Sequence, residues 1–165
     1  MATYDMQGVS DSILAVLQGV TGIGQVHDFF RLVTSEKGRN DNLVSEGRVH
    51  FWVVTNTPAN AYITRRFPAS HSQATYGFEI HGFYAVKDAD ASEKAFRVIV
   101  ERVIRAFEAG DKKLGNPSVI EAGPADWIEG GGPEADRTVP PGEGGVLCHY
   151  ARLSLPVRVQ VEPAA

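Results

Sequence analysis

A single cysteine, Cys148, in a chain of 165 residues excludes an intrachain disulfide framework and points to a reducing compartment. No apolar run reaches the roughly 18 residues that a membrane-spanning helix requires. The first nine residues, MATYDMQGV, carry no basic segment followed by an apolar core, so no secretory leader is expected. The expectation is a protein made and kept in a cytoplasm, with no membrane partner. Basic charge is also short. Sixteen Lys and Arg stand against 20 Asp and Glu, a net charge of -4, which leaves nothing to drive tight non-specific binding to nucleic acid. Gly-Lys-Ser/Thr, His-x-x-x-His and Gly-x-Ser-x-Gly are all missing, and no internal repeat is present.

What is there fits one domain spanning residues 1–165, with 43% hydrophobic residues to build a core. The charge is uneven. Between Glu108 and Gly145 lie eight acidic and three basic residues, together with nine of the 17 glycines and five of the nine prolines. This acidic Gly/Pro-rich excursion contrasts with a body close to neutral.

Periodicity supplies the elements. Ser10 is positioned to cap a helix whose stripe is Ile13, Leu14, Leu17 and Val20, with Gly19 and Gly22 ending it. IGQVHDFFRLV then reads as a strand, and TSEKGRNDN as a loop or a turn of helix. RVHFWVVT is a strand with Val49, Phe51 and Val53 on one face and His50, Trp52 and Val54 on the other. NTPANA reads as a turn, YITRRFP as a short strand or arm, and SHSQ as a turn. In TYGFEIHGFYAV, Tyr76, Phe78, Ile80 and Gly82 oppose Glu79, His81 and Phe83. Either Gly77 or Gly82 marks a bulge or a close backbone approach. The strongest pattern is Phe96, Ile99, Val100, Val103, Ile104 and Phe107, an amphipathic helix of about five turns beginning near Asp88 or Asp90. SVIEAG and ADWIE read as short strands, and GGGPEADRTVPPGEGG as a polar excursion. VLCHYARLSLPVRVQV is a long last strand in which Pro156 predicts an edge position or a bulge. The expected fold class is α/β in the α+β sense: a two-layer sandwich with a mixed, mostly antiparallel sheet and helices packed on one face.

The string Thr21-Gly22-Ile23-Gly24 has the look of a phosphate-binding turn, but its context is reversed. A dinucleotide fingerprint runs strand, glycines, helix, so that helix amides meet the phosphates. Here a helix precedes the glycines and a strand follows them, and a left-handed cap at Gly22 accounts for the residues. Histidines at 27, 50, 71, 81 and 149 show no metal spacing, although four of them fall in predicted strands. Cys148 and His149 are neighbours and point to opposite faces, so they cannot act as a nucleophile and base together. Glu79 and His81 share a face with Phe83. If they line a cleft with converging polar groups, a small enzyme using His81, Glu79 or His27 becomes the rival reading. Arg65 and Arg66, between Ile63 and Phe67-Pro68, have the composition of an interface or a phosphate contact.

Three stretches carry a resemblance. They are GVTGIGQVHDFFRL; then GRVHFWVVT with YGFEIHGFYAVKDADASEKAFRVIVERVIRAF; and, at the end, GGVLCHYARLSLPVRV. In order and spacing they resemble the tail terminator, or tail completion, proteins of long-tailed bacteriophages, over roughly Ser10 to Phe107 and Gly145 to Val159. The resemblance implies a structural virion protein without enzymatic activity or cofactor. It would form a hexameric ring at the head-proximal end of the tail, after assembly in the bacterial host cytoplasm. The ring would stop polymerisation of the tail tube protein, join the neck or connector protein, touch the sheath if the tail contracts, and let genomic DNA pass its lumen without specific binding. A neighbouring neck, head-tail connector or baseplate adaptor protein is the alternative within the same machine. A ring needs two complementary patches on each subunit. The residues expected at subunit or tube contacts are His27, Asp28, Tyr62, Arg65, Arg66, Phe67, Arg152 and Arg158, with the last strand as a possible edge.

Overall fold

Side-chain capping sets the first helix one turn earlier than Ser10 implies. In the computed structural model, which describes residues 5–31, 35–66, 71–139 and 145–161, α1 spans Met6–Gln18. Asp5 is its cap, accepting the Gly8 N–H at 2.9 Å, and Ser10 lies inside the helix. Val9, Ile13 and Leu17 form the buried stripe. The helix ends at Gly19, in right-handed conformation, rather than at Gly22. Gly22 and Gly24, both at φ +77°, shape the turn that follows. A side chain at Gly24 would put a Cβ 2.6 Å from the His50 carbonyl oxygen, so this glycine lets the turn lie on the sheet.

The strand after the turn is short. β1 (Gln25–His27) pairs in parallel with Phe51 to Val53, and the chain then bends through Asp28 and Phe29. The following polar segment forms a true helix, α2 (Glu36–Leu43). Ser35 caps it through the Gly38 N–H, and Lys37 pairs with Asp41 one turn on. Its residues are almost all polar, and among those described Leu43 and the polar Arg39 are buried.

β2 (Val44–Ser45), β3 (Arg48–Arg66) and β4 (His71–Ala85) follow. NTPANA is not a turn. β3 runs through it and absorbs the irregular residues as a register shift between Thr57 and Tyr62, beside Gly77. The chain then makes a 3₁₀ turn at Asp88–Asp90 and enters α3 (Ser92–Ala109), with Phe96, Ile99, Val100, Val103 and Phe107 buried. Glu93 pairs with Arg97 along its exposed side. The two strands expected after it are β5 (Val119–Ala122) and β6 (Asp126–Gly130). The polar excursion also contributes a third, β7 (Arg137–Val139).

β8 (Val146–Val161) is not an edge strand. It pairs with β4 from Cys148 to Val161 and with β5, β6 and β7 on its other side. Pro156 is accommodated because its missing N–H faces the break between β5 and β6. Its carbonyl, on the same side, accepts the Gly123 N–H at 2.9 Å.

The product is an α+β fold built on one curled, mostly antiparallel sheet of eight strands, ordered β1-β3-β4-β8-β5 along its main path. Alternation along the strands divides the core as the sequence predicts. Trp52, Val54, Phe78, Ile80, Leu153 and Leu155 pack with α1 and α3. Phe51, Val53, Phe83, Cys148 and Tyr150 form a second cluster on the opposite face. That face is not bare, because Leu43 at the end of α2 closes over it; the helices are therefore divided between the two faces. No described helix is long and apolar enough to cross a membrane.

Candidate functional site

The expected contact residues fall into three groups. His27 and Asp28 bind elements together within the subunit. His27 Nε2 lies 2.7 Å from the Asn42 carbonyl at the end of α2, and Asp28 accepts from Gln7 of α1 at 3.2 Å. Arg152 and Arg158 are held in ion pairs across the sheet, Arg152 with Glu79 (3.3 Å) and Glu129 (3.2 Å), and Arg158 with Glu121 (3.0 Å). Tyr62, Arg65 and Arg66 lie on β3, paired in register with Thr75, Ser72 and His71; their side chains fall outside the described set, as does all of Phe67.

The position of that stretch of β3 matters. β1 and β2 cover the outer edge of β3 only as far as Val53. Among the described residues, no strand pairs with this edge from Val54 to Arg66, while β4 lies between β3 and β8 throughout. Among the described residues, this stretch therefore carries a row of backbone N–H and C=O groups without a ladder partner.

On the second face, polar groups converge. His81 is buried, with Nδ1 2.8 Å from the Tyr150 hydroxyl and Nε2 3.2 Å from Thr55 Oγ1 and 3.4 Å from Glu79. This network fits an Nε2–H facing Thr55 and Glu79, with Nδ1 accepting the Tyr150 O–H. Burial pulls the His81 pKa below its ordinary value; Glu79 opposes that and Arg152 reinforces it. Burial likewise raises the Tyr150 phenol. The Arg137 guanidinium covers the Tyr150 ring at 3.9 Å and pairs with Glu129 at 3.2 Å. Beside His81 opens a cleft of about 400 Å³ whose walls include Phe30, Phe51, Phe83, Val139 and Tyr150. The sequence placed Glu79 and His81 on one face and missed Tyr150 and Arg137. In VLCHYARLSLPVRVQV, period-2 alternation places Tyr150 and Arg152 on a common face, the signal that could have led to Tyr150.

A second constellation has the connectivity of a Ser-His-Asp relay. His149 Nε2 lies 2.8 Å from Ser92 Oγ, and Nδ1 lies 3.2 Å from Asp136. Ser92, however, is 1% exposed, and its Oγ also accepts the Lys87 N–H at 2.8 Å. A nucleophile must meet its substrate, and this hydroxyl is enclosed. Its local work is at the start of α3, where the cap residue Ala91 is left-handed and makes no side-chain cap bond. Ser92 thereby ties α3 to β8 through His149, and to Lys87 just before the 3₁₀ turn at Asp88–Asp90. Ser92→Ala is expected to lower stability by about 1–2 kcal/mol, because the Lys87 N–H and His149 both lose a buried partner. Urea unfolding measures this, and a midpoint equal to wild type would refute the clasp.

Cys148 is no better placed as a nucleophile, since burial pushes its thiol up to about 12. Among the described residues, no three His, Cys, Asp or Glu side chains gather as a metal site. The glycine turn at Gly22 to Gly24 borders a wider polar cleft lined by Arg39, Arg48, Lys87 and Arg102. The helix before those glycines directs its C-terminus at them, which is the wrong end of the dipole for a phosphate.

No family model matches the chain, and no curated protein matches it.

Proposed function

We propose that this chain is an assembly protein of the tail-terminator kind, acting as a ring that ends a phage tail tube and presents a joining surface to the neck. The observation that carries the reading is the outer edge of β3 from Val54 to Arg66, with which no strand among the described residues pairs. Soluble proteins normally cover, twist or charge such an edge, and a ring-forming subunit has a use for it. Arg65 and Arg66 sit at its far end, where the three stretches that resemble tail terminators leave room for a contact. The frame is a curled sheet with α1 and α3 as the main helical layer and α2 a smaller cover on the other face. In this reading the ring is a homohexamer. The acidic segment faces a partner or the lumen, and a mildly acidic wall lets DNA slide rather than stick. Chemistry plays no part, and Ser92 and His81 serve packing and hydrogen bonding.

Native mass spectrometry with and without purified tail tubes tests the reading. Six copies, and tubes capped at one end in micrographs, are expected. Arg65→Ala with Arg66→Ala should shift the mass toward monomer and leave tubes uncapped. Unchanged assembly in that variant would overturn the contact. Tubes of uniform length in the protein's absence would overturn the function, and location at the baseplate would favour the adaptor alternative.

A further inference from the structure

We propose that the cleft beside His81 binds a small aromatic carboxylic acid, of one or two rings and a single negative charge. Its shape and its charge argue for this independently of ring assembly. The floor is aromatic: Phe51 and Phe83 stack at 4.6 Å with planes 8° apart, and Tyr150 lies 5.2 Å from Phe83. Phe30 forms a side wall, its ring 5.2 Å from His81 and edge-on to Phe83 at 6.4 Å, yet it remains 52% exposed. A flat ring placed between Phe30 and this floor would meet aromatic faces and edges and cover the exposed side of Phe30. At about 400 Å³ the space falls in the range of small-molecule sites and holds one or two rings.

The polar groups set the rest of the ligand. Both His81 ring nitrogens are already engaged, by Tyr150 and Thr55, so the deep end asks for an apolar body. Two guanidiniums stand at the rim, Arg31 and Arg137. Arg137 is neutralised by Glu129. Arg31 stacks on Phe29 at 4.6 Å and donates to His27 Nδ1 at 3.4 Å, and it faces no carboxylate among the described residues. Among the described residues, one cation of the cleft is therefore left to be matched, and it is exposed to solvent, where a ring's carboxylate would lie.

Naphthoate, its uncharged analogue naphthalenemethanol, and aliphatic hexanoate are the probes, titrated into the full chain and followed by calorimetry and aromatic NMR. Naphthoate is expected to bind with shifts confined to Phe30, Phe51, Phe83, His81 and Tyr150, and hexanoate not to bind. Arg31→Gln should weaken naphthoate roughly tenfold, the scale of one charge-assisted hydrogen bond, while leaving naphthalenemethanol unchanged. Phe30→Ala, which removes an exposed side chain and with it the side wall of the cleft, should weaken both aromatic probes at least tenfold, and undiminished binding of either would overturn the proposal. The proposal is overturned by no binding at millimolar naphthoate, by equal affinity for naphthoate and hexanoate, or by indifference to Arg31→Gln. It is also overturned if naphthoate binds only by splitting an assembly, because the cleft would then belong to a neighbouring copy.

Discussion

Gly82→Val is expected to destabilise the protein by about 3 kcal/mol or more, a large part of the 5–15 kcal/mol that holds a domain of this size together. Gly82 lies in the middle of β4, between Trp52 on β3 and Ala151 on β8. The row across the sheet is thus a very large residue, no side chain at all, and a methyl group. Trp52 is fully buried and uses the vacancy: a Cβ at Gly82 would stand 2.6 Å from two atoms of its ring. The ring cannot retreat freely, because it meets Phe96 of α3 at 6.0 Å and its Nε1–H donates to His50 at 3.3 Å. Valine adds three carbons at this point, so either Trp52 leaves its rotamer or α3 lifts from the sheet. Urea unfolding of Gly82→Val and Gly82→Ala should show a graded loss. Trp52→Phe should recover part of it in the Ala background, giving a coupling energy between the two positions. A Val variant within about 0.5 kcal/mol of wild type would mean that the face is not packed as described.

The second large effect is on pH dependence. His50 is buried against Tyr84, with ring centroids 4.8 Å apart, and its Nε2 must be unprotonated to accept the Trp52 N–H. Burial, reinforced by the Arg48 charge, lowers its pKa from 6.5 to about 4. The unfolded chain takes up this proton as pH falls through 6.5, whereas the folded chain resists until about 4. The stabilisation is therefore complete above 6.5 and is lost as pH falls toward 4. The lowered pKa of His81 acts in the same direction. Between pH 7.5 and 5, His50 alone should remove about 2 kcal/mol from the unfolding free energy. Denaturant midpoints across that range in wild type and His50→Gln check it. The variant should be less stable at neutral pH and lose less on acidification, and parallel curves would contradict the assignment.

Much of the frame is legible in the residues, and the reason is local. The long helix repeats apolar residues at its own period, and the strands around Trp52, Ile80 and Leu153 alternate at theirs, so their faces follow from spacing alone. The failures share a different cause. Residues Glu36–Leu43 are helical through capping and one ion pair, without an apolar stripe to announce them. Arg137–Val139 is a strand because β8 is there to pair with it. Asn56 to Ala61 has the composition of a turn, yet β3 continues through it, because β4 pairs with the residues on both sides of a register shift between Thr57 and Tyr62. Pro156 reads as an edge residue, yet it sits inside the sheet where the neighbouring strand changes from β5 to β6. For the site, faces were predictable and pairings were not. That His81 meets Tyr150, 69 residues away, and His149 meets Ser92, 57 away, depends on sheet register and on where α3 begins.

The place of β8 in chain order has a consequence for biosynthesis. β5, β6 and β7 each pair with β8, and so does the whole inner edge of β4, yet β8 follows all of them. During translation these strands leave the ribosome with their ladder partner still unmade. The inner edge of β4 then stays unpaired until residues 146–161 emerge. Nascent chains are thus at their most adhesive just before β8 emerges, when a neighbour's strand can take the empty slot, and slow synthesis of residues 146–161 would favour entanglement over closure.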